Sequence, residues 1–279
     1  MKPLRNYLHN HKPPNLLLHV SSVSKIIHFW NYIIFQRSWR VRRILDKVLS
    51  NLQEGDHVLD AGCGDGQHLL WIANRFAYLN IHGIDIAKGN IELLNSYISD
   101  HKLNNVFINH GDLLTTNPAD QYSLVYCIST LYMIDDDEGL LRQWYKNIES
   151  DGRIILYQPI NQKIELRLYA NLRKSLRTYE KDNKINKIYT YDDLKYLFNK
   201  TGWTIEYQEF GMGKYGRIGY EIYSYFLLQM SNTSNYLLFI FWLIFIFITA
   251  PISIFLQIID YKSTNHENDN AALIILKKD

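Results

Sequence analysis

The sequence predicts an α/β fold: a doubly wound, mostly parallel seven-stranded sheet with helices on both faces. Three observations lead there. Short apolar segments of strand length alternate with segments of helical period from His57 onward, as a sheet with crossover helices requires. Glycines at alternate positions, Gly62, Gly64 and Gly66, follow the first of these strands, and an acid, Asp85, closes the second. With 47% hydrophobic and 21% charged residues, the 279-residue chain has material for a packed core. That excludes disorder and fibrous repeats, and the length suits roughly two domains or one α/β domain carrying an insertion.

The elements follow in order. From Val20 to Phe35 the apolar residues recur at helical spacing, interrupted by Lys25 and His28, which predicts an amphipathic helix. Val41, Ile44, Leu45, Val48, Leu49 and Leu52 mark a second helix, stopped by Glu54-Gly55-Asp56. Strands are expected at 57–60, 81–85, 106–109, 123–128, 153–157, 204–210 and 271–276, the run 153–157 ending at Pro159. Helices are expected from the glycine turn to about Phe76, near Ile91–Ser99, around Glu138–Ile148 and over Tyr191–Phe198, with Thr190 as the last one's N-cap. Residues 161–187 are polar, rich in Lys and Asn, and helix-prone.

The chemistry concentrates at Asp60-Ala61-Gly62-Cys63-Gly64-Asp65-Gly66. Glycines between a strand and a helix allow positive φ and close backbone approach to a ligand, and the helix start offers free N–H groups. Asp85 can accept ribose hydroxyls. The spacing G-x-G-x-G is neither the dinucleotide fingerprint nor a triphosphate loop.

Val58 through Gly66 resembles the first motif of class I S-adenosylmethionine-dependent methyltransferases, whose fold is Rossmann-like. His82-Gly83-Ile84-Asp85-Ile86 resembles their second motif, Gly111-Asp112-Leu113 the segment flanking adenine, Tyr122–Ile134 the fourth-strand motif and Gly152–Pro159 the fifth. The resemblance covers about 40–210 and the last strand. It implies S-adenosylmethionine as cofactor, with Asp60 and the Gly62 and Gly64 backbone on the methionine part and Asp85 on the ribose. It further implies Asp112 and the Leu113 backbone beside the adenine, and Ile128 and Ser129 on the sulfonium side. Cys63, Gly66 and Ile86 complete the implied cofactor-binding set. Where many small-molecule members carry a Glu-His pair, this chain has Leu131-Tyr132-Met133-Ile134, so no role tied to that pair carries over. Methyl transfer from a sulfonium depends on proximity and alignment, with a base needed only if the acceptor loses a proton. His28, His110, Tyr132 and Tyr157 are candidates, and none is assigned. A nicotinamide-dependent oxidoreductase and a membrane-attached cofactor-binding protein without transfer are the alternatives.

Charge and hydropathy set the surroundings. Residues 1–50 hold nine basic residues against Asp46 alone, a net +8, and the other 229 residues carry −6. This predicts a basic amphipathic N-terminal arm or lid over 1–39, facing an anionic surface. Cys63 and Cys127 form no disulfide framework or metal-ligand spacing, and no metal is expected. Leu16–Val20 is too short for a secretory signal, which places the soluble part in the cytoplasm. From Ile222 to Ile259, 38 residues pass without Asp, Glu, Lys, Arg or His. Tyr236–Ile259 is long enough to cross a bilayer, yet a final strand at 271–276 must return the chain to the side it left. The segment Ile222–Met230 reads as too short for a second span. The expectation is therefore a membrane-associated insertion over 214–262, with 222–259 re-entrant or interfacial and bent at Pro251, or else an apolar dimer interface. The partners expected are a small-molecule or lipid acceptor and the cytoplasmic face of a membrane, with no nucleic acid.

Overall fold

The computed structural model describes residues 29–117, 119, 121–175, 187–233, 235–263 and 266–278. Seven strands form one sheet: β1 His57–Ala61, β2 Asn80–Asp85, β3 Val106–His110, β4 Tyr122–Ile128, β5 Ile148–Pro159, β6 Trp203–Gly211 and β7 Ala271–Lys278. Their order is β3-β2-β1-β4-β5-β7-β6. The pairs β3–β2, β2–β1, β1–β4 and β4–β5 are parallel, and the sheet ends in an antiparallel C-terminal pair. The order reverses between β1 and β4, the switch point where open α/β sheets bind ligands.

The helices are α1 Gln36–Leu49, α2 Leu69–Arg75, α3 Lys88–His101, α4 Asp137–Asn147, α5 Arg167–Ser175, α6 Tyr191–Lys200, α7 Lys214–Ser231 and α8 Tyr236–Lys262. Three of them, α4, α6 and α8, begin on side-chain caps, Asn235 being that of α8. Asp136 accepts the Gly139 N–H at α4. At α6, Thr190 and Asp193 form a reciprocal capping box.

Two compact units emerge. One comprises residues 40–159, 189–209 and 272–279 and holds most of the sheet. Its central strands are near-continuous apolar runs, as parallel strands covered on both faces demand: Val58, Leu59, Ile81, Ile84, Leu124, Val125, Ile154 and Ile155 are buried. The other unit comprises 160–188, 210–271 and the chain up to 39. In it α7 and α8 form an antiparallel hairpin, with Gly219 set against Ser253 and Phe226 stacked on Phe245. Ile34, Tyr223, Ile246 and Ala250 make its small apolar core.

Several expectations change. The helix expected to reach Ile148 ends at Asn147, and β5 starts at Ile148, five residues early, because Ile148 pairs with Tyr122 ahead of an irregularity in the ladder. The segment read as too short is the second half of α7, which starts at Lys214 and has 18 residues. Helix α8 runs through Pro251 as one 27-residue element. The described residues among 160–188 group with the hairpin. The helix predicted over 20–35 lies outside the described residues except for 29–34, which are helical. Part of the positive charge of residues 1–50 is taken up internally, at positions beyond the arm. Arg40 and Arg43 both bind Glu209, and Arg42 lies over the Trp71 ring at 5.2 Å.

Candidate functional site

The implied cofactor residues converge at the C-terminal ends of β1, β2, β3 and β4. After β1 the chain turns through Gly62, Gly64 and Gly66 at φ of +83°, +56° and +79°, a region that favours residues without Cβ. The Gly62 and Cys63 N–H groups both donate to Ile84 O, at 2.9 and 3.0 Å, which straps the turn across the end of β2. The glycines have different duties. A Cβ on Gly62 would collide with the Thr130 side chain, and one on Gly66 with Leu94. Those two therefore serve the protein's own packing. Gly64 is the member whose N–H points to functional chemistry, donating to Asp85 Oδ2 at 2.8 Å.

Asp85 is 5% exposed. Its Oδ1 also accepts the Ala87 N–H at 2.8 Å and the Asn90 amide at 3.3 Å, so the carboxylate is held between the glycine turn and the start of α3. Asn90, 1% exposed, was not singled out by sequence. Its i+5 position from Asp85 across a helix start was the available signal. Asp60 ends β1 beside Tyr126 of β4, its partner in the ladder. Burial, together with the negative charges of Asp85 and Asp65, pushes its carboxyl up to about 8, against a partial lowering by the Tyr126 hydroxyl. Burial and Asp60 also raise the Cys63 thiol, so it is no thiolate nucleophile. Asp60, Asp65 and Asp85 lie close enough for their negative charges to act on one another.

The remaining residues divide. Leu113 is buried, while Asp112 is exposed and its Oδ1 accepts the Leu114 N–H at 2.9 Å, a turn of its own loop. Gly111 N–H donates to Asp85 O at 3.2 Å, which keeps this loop beside β2. Ile86 is largely exposed. Ile128 and Ser129 are half-buried. Ser129 sits at φ +56°, a strained position for a non-glycine, with its N–H on Tyr157 O at 2.8 Å. Thr130, filling the space over Gly62, is a site residue that sequence reasoning missed. Of the candidate bases, Tyr157 is buried, Tyr132 lies in a 3-10 turn over Leu131–Met133, His110 is exposed with Nε2 on Ile86 O, and His28 lies outside the described residues. Among the described residues no cluster of His, Cys, Asp and Glu is placed to hold a metal.

A family model described as a methyltransferase domain matches residues 34–208. The chain is 31% identical over 121 residues to aklanonic acid methyltransferase of a Streptomyces species, covering 43% of this chain and 54% of that one. It is 27% identical over 145 residues to malonyl-acyl-carrier-protein O-methyltransferase 1 of Ilyobacter polytropus, covering 52% of each. The chain thus spans about half the length of these relatives. Among solved structures, a phosphoethanolamine N-methyltransferase of Haemonchus contortus, in complex with phosphomonomethylethanolamine and S-adenosylhomocysteine, superposes with a TM-score of 0.62 at 15% identity. It covers 100% of this chain and 60% of that one. At that identity the likeness concerns the fold.

Proposed function

We propose that this chain, which belongs to the class I S-adenosylmethionine-dependent methyltransferases, transfers the cofactor's methyl group to a lipid-like or membrane-delivered small molecule at the cytoplasmic face of a membrane. The cofactor supplies an electrophilic methyl on a sulfonium. The chain's residues bind and orient: Asp60 and the turn at Gly62–Gly64 take the methionine part, Asp85 the ribose, Leu113 and Asp112 the adenine side, and Ile128 and Ser129 the sulfonium side. Asp60, Asp65 and Asp85 lie near one another, and a ligand carrying positive charge there favours the ionised form of Asp60. Alignment of the acceptor is the main source of rate, and no side chain is assigned as a base.

The observation that carries the acceptor class is the hairpin α7–α8, spliced between β6 and β7 with 38 residues free of charge. Relatives named for aklanonic acid, a malonyl-acyl-carrier protein and ubiquinone biosynthesis keep small or carrier-bound acceptors in view. The test is isotopic. Purified protein, membranes and methyl-deuterated S-adenosylmethionine should give a lipid-phase product carrying the heavy methyl, seen by mass spectrometry of the organic extract. Label confined to water-soluble products would refute the acceptor class while leaving methyl transfer intact.

A further inference from the structure

Helix α8 is built inside out for a protein in water. The side chains it buries are Ile246, Ala250, Ser253, Gln257 and Asp260, spaced four, three, four and three along one stripe. Toward the C-terminal end that stripe is polar, and Gln257 and Asp260 are hydrogen-bonded from within. Gln36 Nε2 donates to Asp260 Oδ2 at 2.9 Å, Gln36 N–H to Gln257 Oε1 at 3.0 Å, and Gln257 Nε2 to Ile34 O at 2.6 Å. The opposite face is apolar and open: Ile248 is 60% exposed and Phe255 63%, with Ile252 and Ile258 beside them. An aqueous surface helix shows the reverse arrangement.

The two ends of the hairpin differ as well. At its base, Lys214 and Lys262 are exposed. Glu221 accepts the N–H groups of Glu165 and Leu166, which fixes the start of α5, with exposed Arg167 and Lys174, to the same end. These cations complement anionic headgroups. At the tip there is no charge, and the polar groups bind each other. Asn235 Oδ1 accepts the Leu237 and Leu238 N–H groups at 2.9 and 3.2 Å, Asn235 N–H donates to Thr233 Oγ1 at 3.2 Å, and Asn232 Nδ2 donates to Leu228 O at 2.9 Å. Backbone near hydrocarbon needs such internal partners.

We infer that bilayer hydrocarbon is the occupant of α8's outer face, and that the hairpin enters one leaflet obliquely, tip first. Length sets the depth. The charge-free part of α7 runs from Ile222 to Ser231, about 15 Å of helix, against a hydrocarbon core of about 30 Å. A deeper tip would pull Arg217 and Glu221 into the core. Around the tip, Tyr236 through Phe241 are all exposed, so lipid surrounds them, whereas from Trp242 onward α8 opens one face only. This reading shares the membrane with the function proposed above and does not depend on the methyl acceptor.

The experiment is spin labelling of full-length protein in vesicles of phosphatidylcholine with phosphatidylglycerol. Single labels go at Leu238, Ile248, Phe255 and Ile258, and the native thiols of Cys63 and Cys127 are buried. Collision with oxygen relative to a water-soluble nickel chelate should exceed the aqueous value at all four and rise from Ile258 to Leu238. Water-like values, a flat or reversed gradient, or strong label-to-label coupling from a second copy on this face would overturn the inference. So would reaction of a cysteine at Asn232 with a reagent sealed inside the vesicles. Phe255→Asp should weaken vesicle partition about tenfold or more with S-adenosylmethionine binding unchanged, and undiminished partition would count against the inference. Insertion without a methylated lipid leaves this geometry standing and sinks the acceptor class. Lipid methylation with α8 labels in water does the opposite.

Discussion

Asp85 and Asp260 are nearly twins in their immediate chemistry. They are 5% and 3% exposed, each accepts a glycine N–H, from Gly64 at 2.8 Å and from Gly213 at 3.1 Å, and each takes a side-chain amide, from Asn90 and from Gln36. Their surroundings differ. Asp85 closes a parallel strand beside a turn of positive-φ glycines and shares its corner with Asp60 and Asp65. Asp260 lies on the covered stripe of a helix whose other face is apolar, and Gly213 and Gly216 leave it room to approach α7. A buried carboxylate on a glycine N–H is therefore not in itself a ligand site. On a helix stripe these hydrogen bonds lock elements together, whereas at the end of β2 they hold the glycine turn to the start of α3.

The largest effect expected from breaking this contrast is on cofactor binding. Asp85→Ala should cost about 2–4 kcal/mol of S-adenosylmethionine affinity by calorimetry, whereas Asp260→Ala should leave that affinity unchanged. Equal losses from both would erase the distinction. Next comes stability. Asp260→Ala strands the Gly213 N–H and the Gln36 amide, so it should destabilise the hairpin by about 1–3 kcal/mol, visible as faster amide exchange across α7. Full protection there would contradict the locking role.

The proton balance at Asp60 sharpens the comparison further. Its carboxyl titrates at about 8, so the folded protein holds a proton there at neutral pH. A cationic ligand prefers the ionised form, so binding near pH 7 should release a proton, and affinity should rise with pH by up to about tenfold per unit, about 1.4 kcal/mol, levelling above 8. Calorimetry in buffers of different ionisation heat reads the proton directly, and its absence would remove Asp60 from the methionine end. For stability the sign is opposite. The raised value contributes stability that is complete below the ordinary aspartate range near 3.8 and lost as pH climbs through about 8. Asp60→Asn should flatten both profiles. The smallest effect is local: Thr190→Ala, which removes half of the capping box at α6, should cost about 1 kcal/mol in denaturant unfolding. It should leave cofactor affinity and vesicle attachment alike.

The alternation of strands and helices, the glycine turn at Gly62–Gly66 and the placement of Asp85 at a strand end were legible in the sequence. Each rests on a period or a spacing within a few residues, which a linear reading can hold. Tertiary structure alone decided that Thr130 fills the space over Gly62 while Leu94 fills that over Gly66, and that Asp112 turns to its own loop. It also decided that Glu209 collects two arginines of α1 and that α8 keeps Gln257 and Asp260 inside and Phe255 outside. These outcomes depend on partners far along the chain. Gln36 meets Asp260 across 224 positions, and no local pattern of charge or hydropathy states which groups that closure will bring together or which solvent will face the side left open.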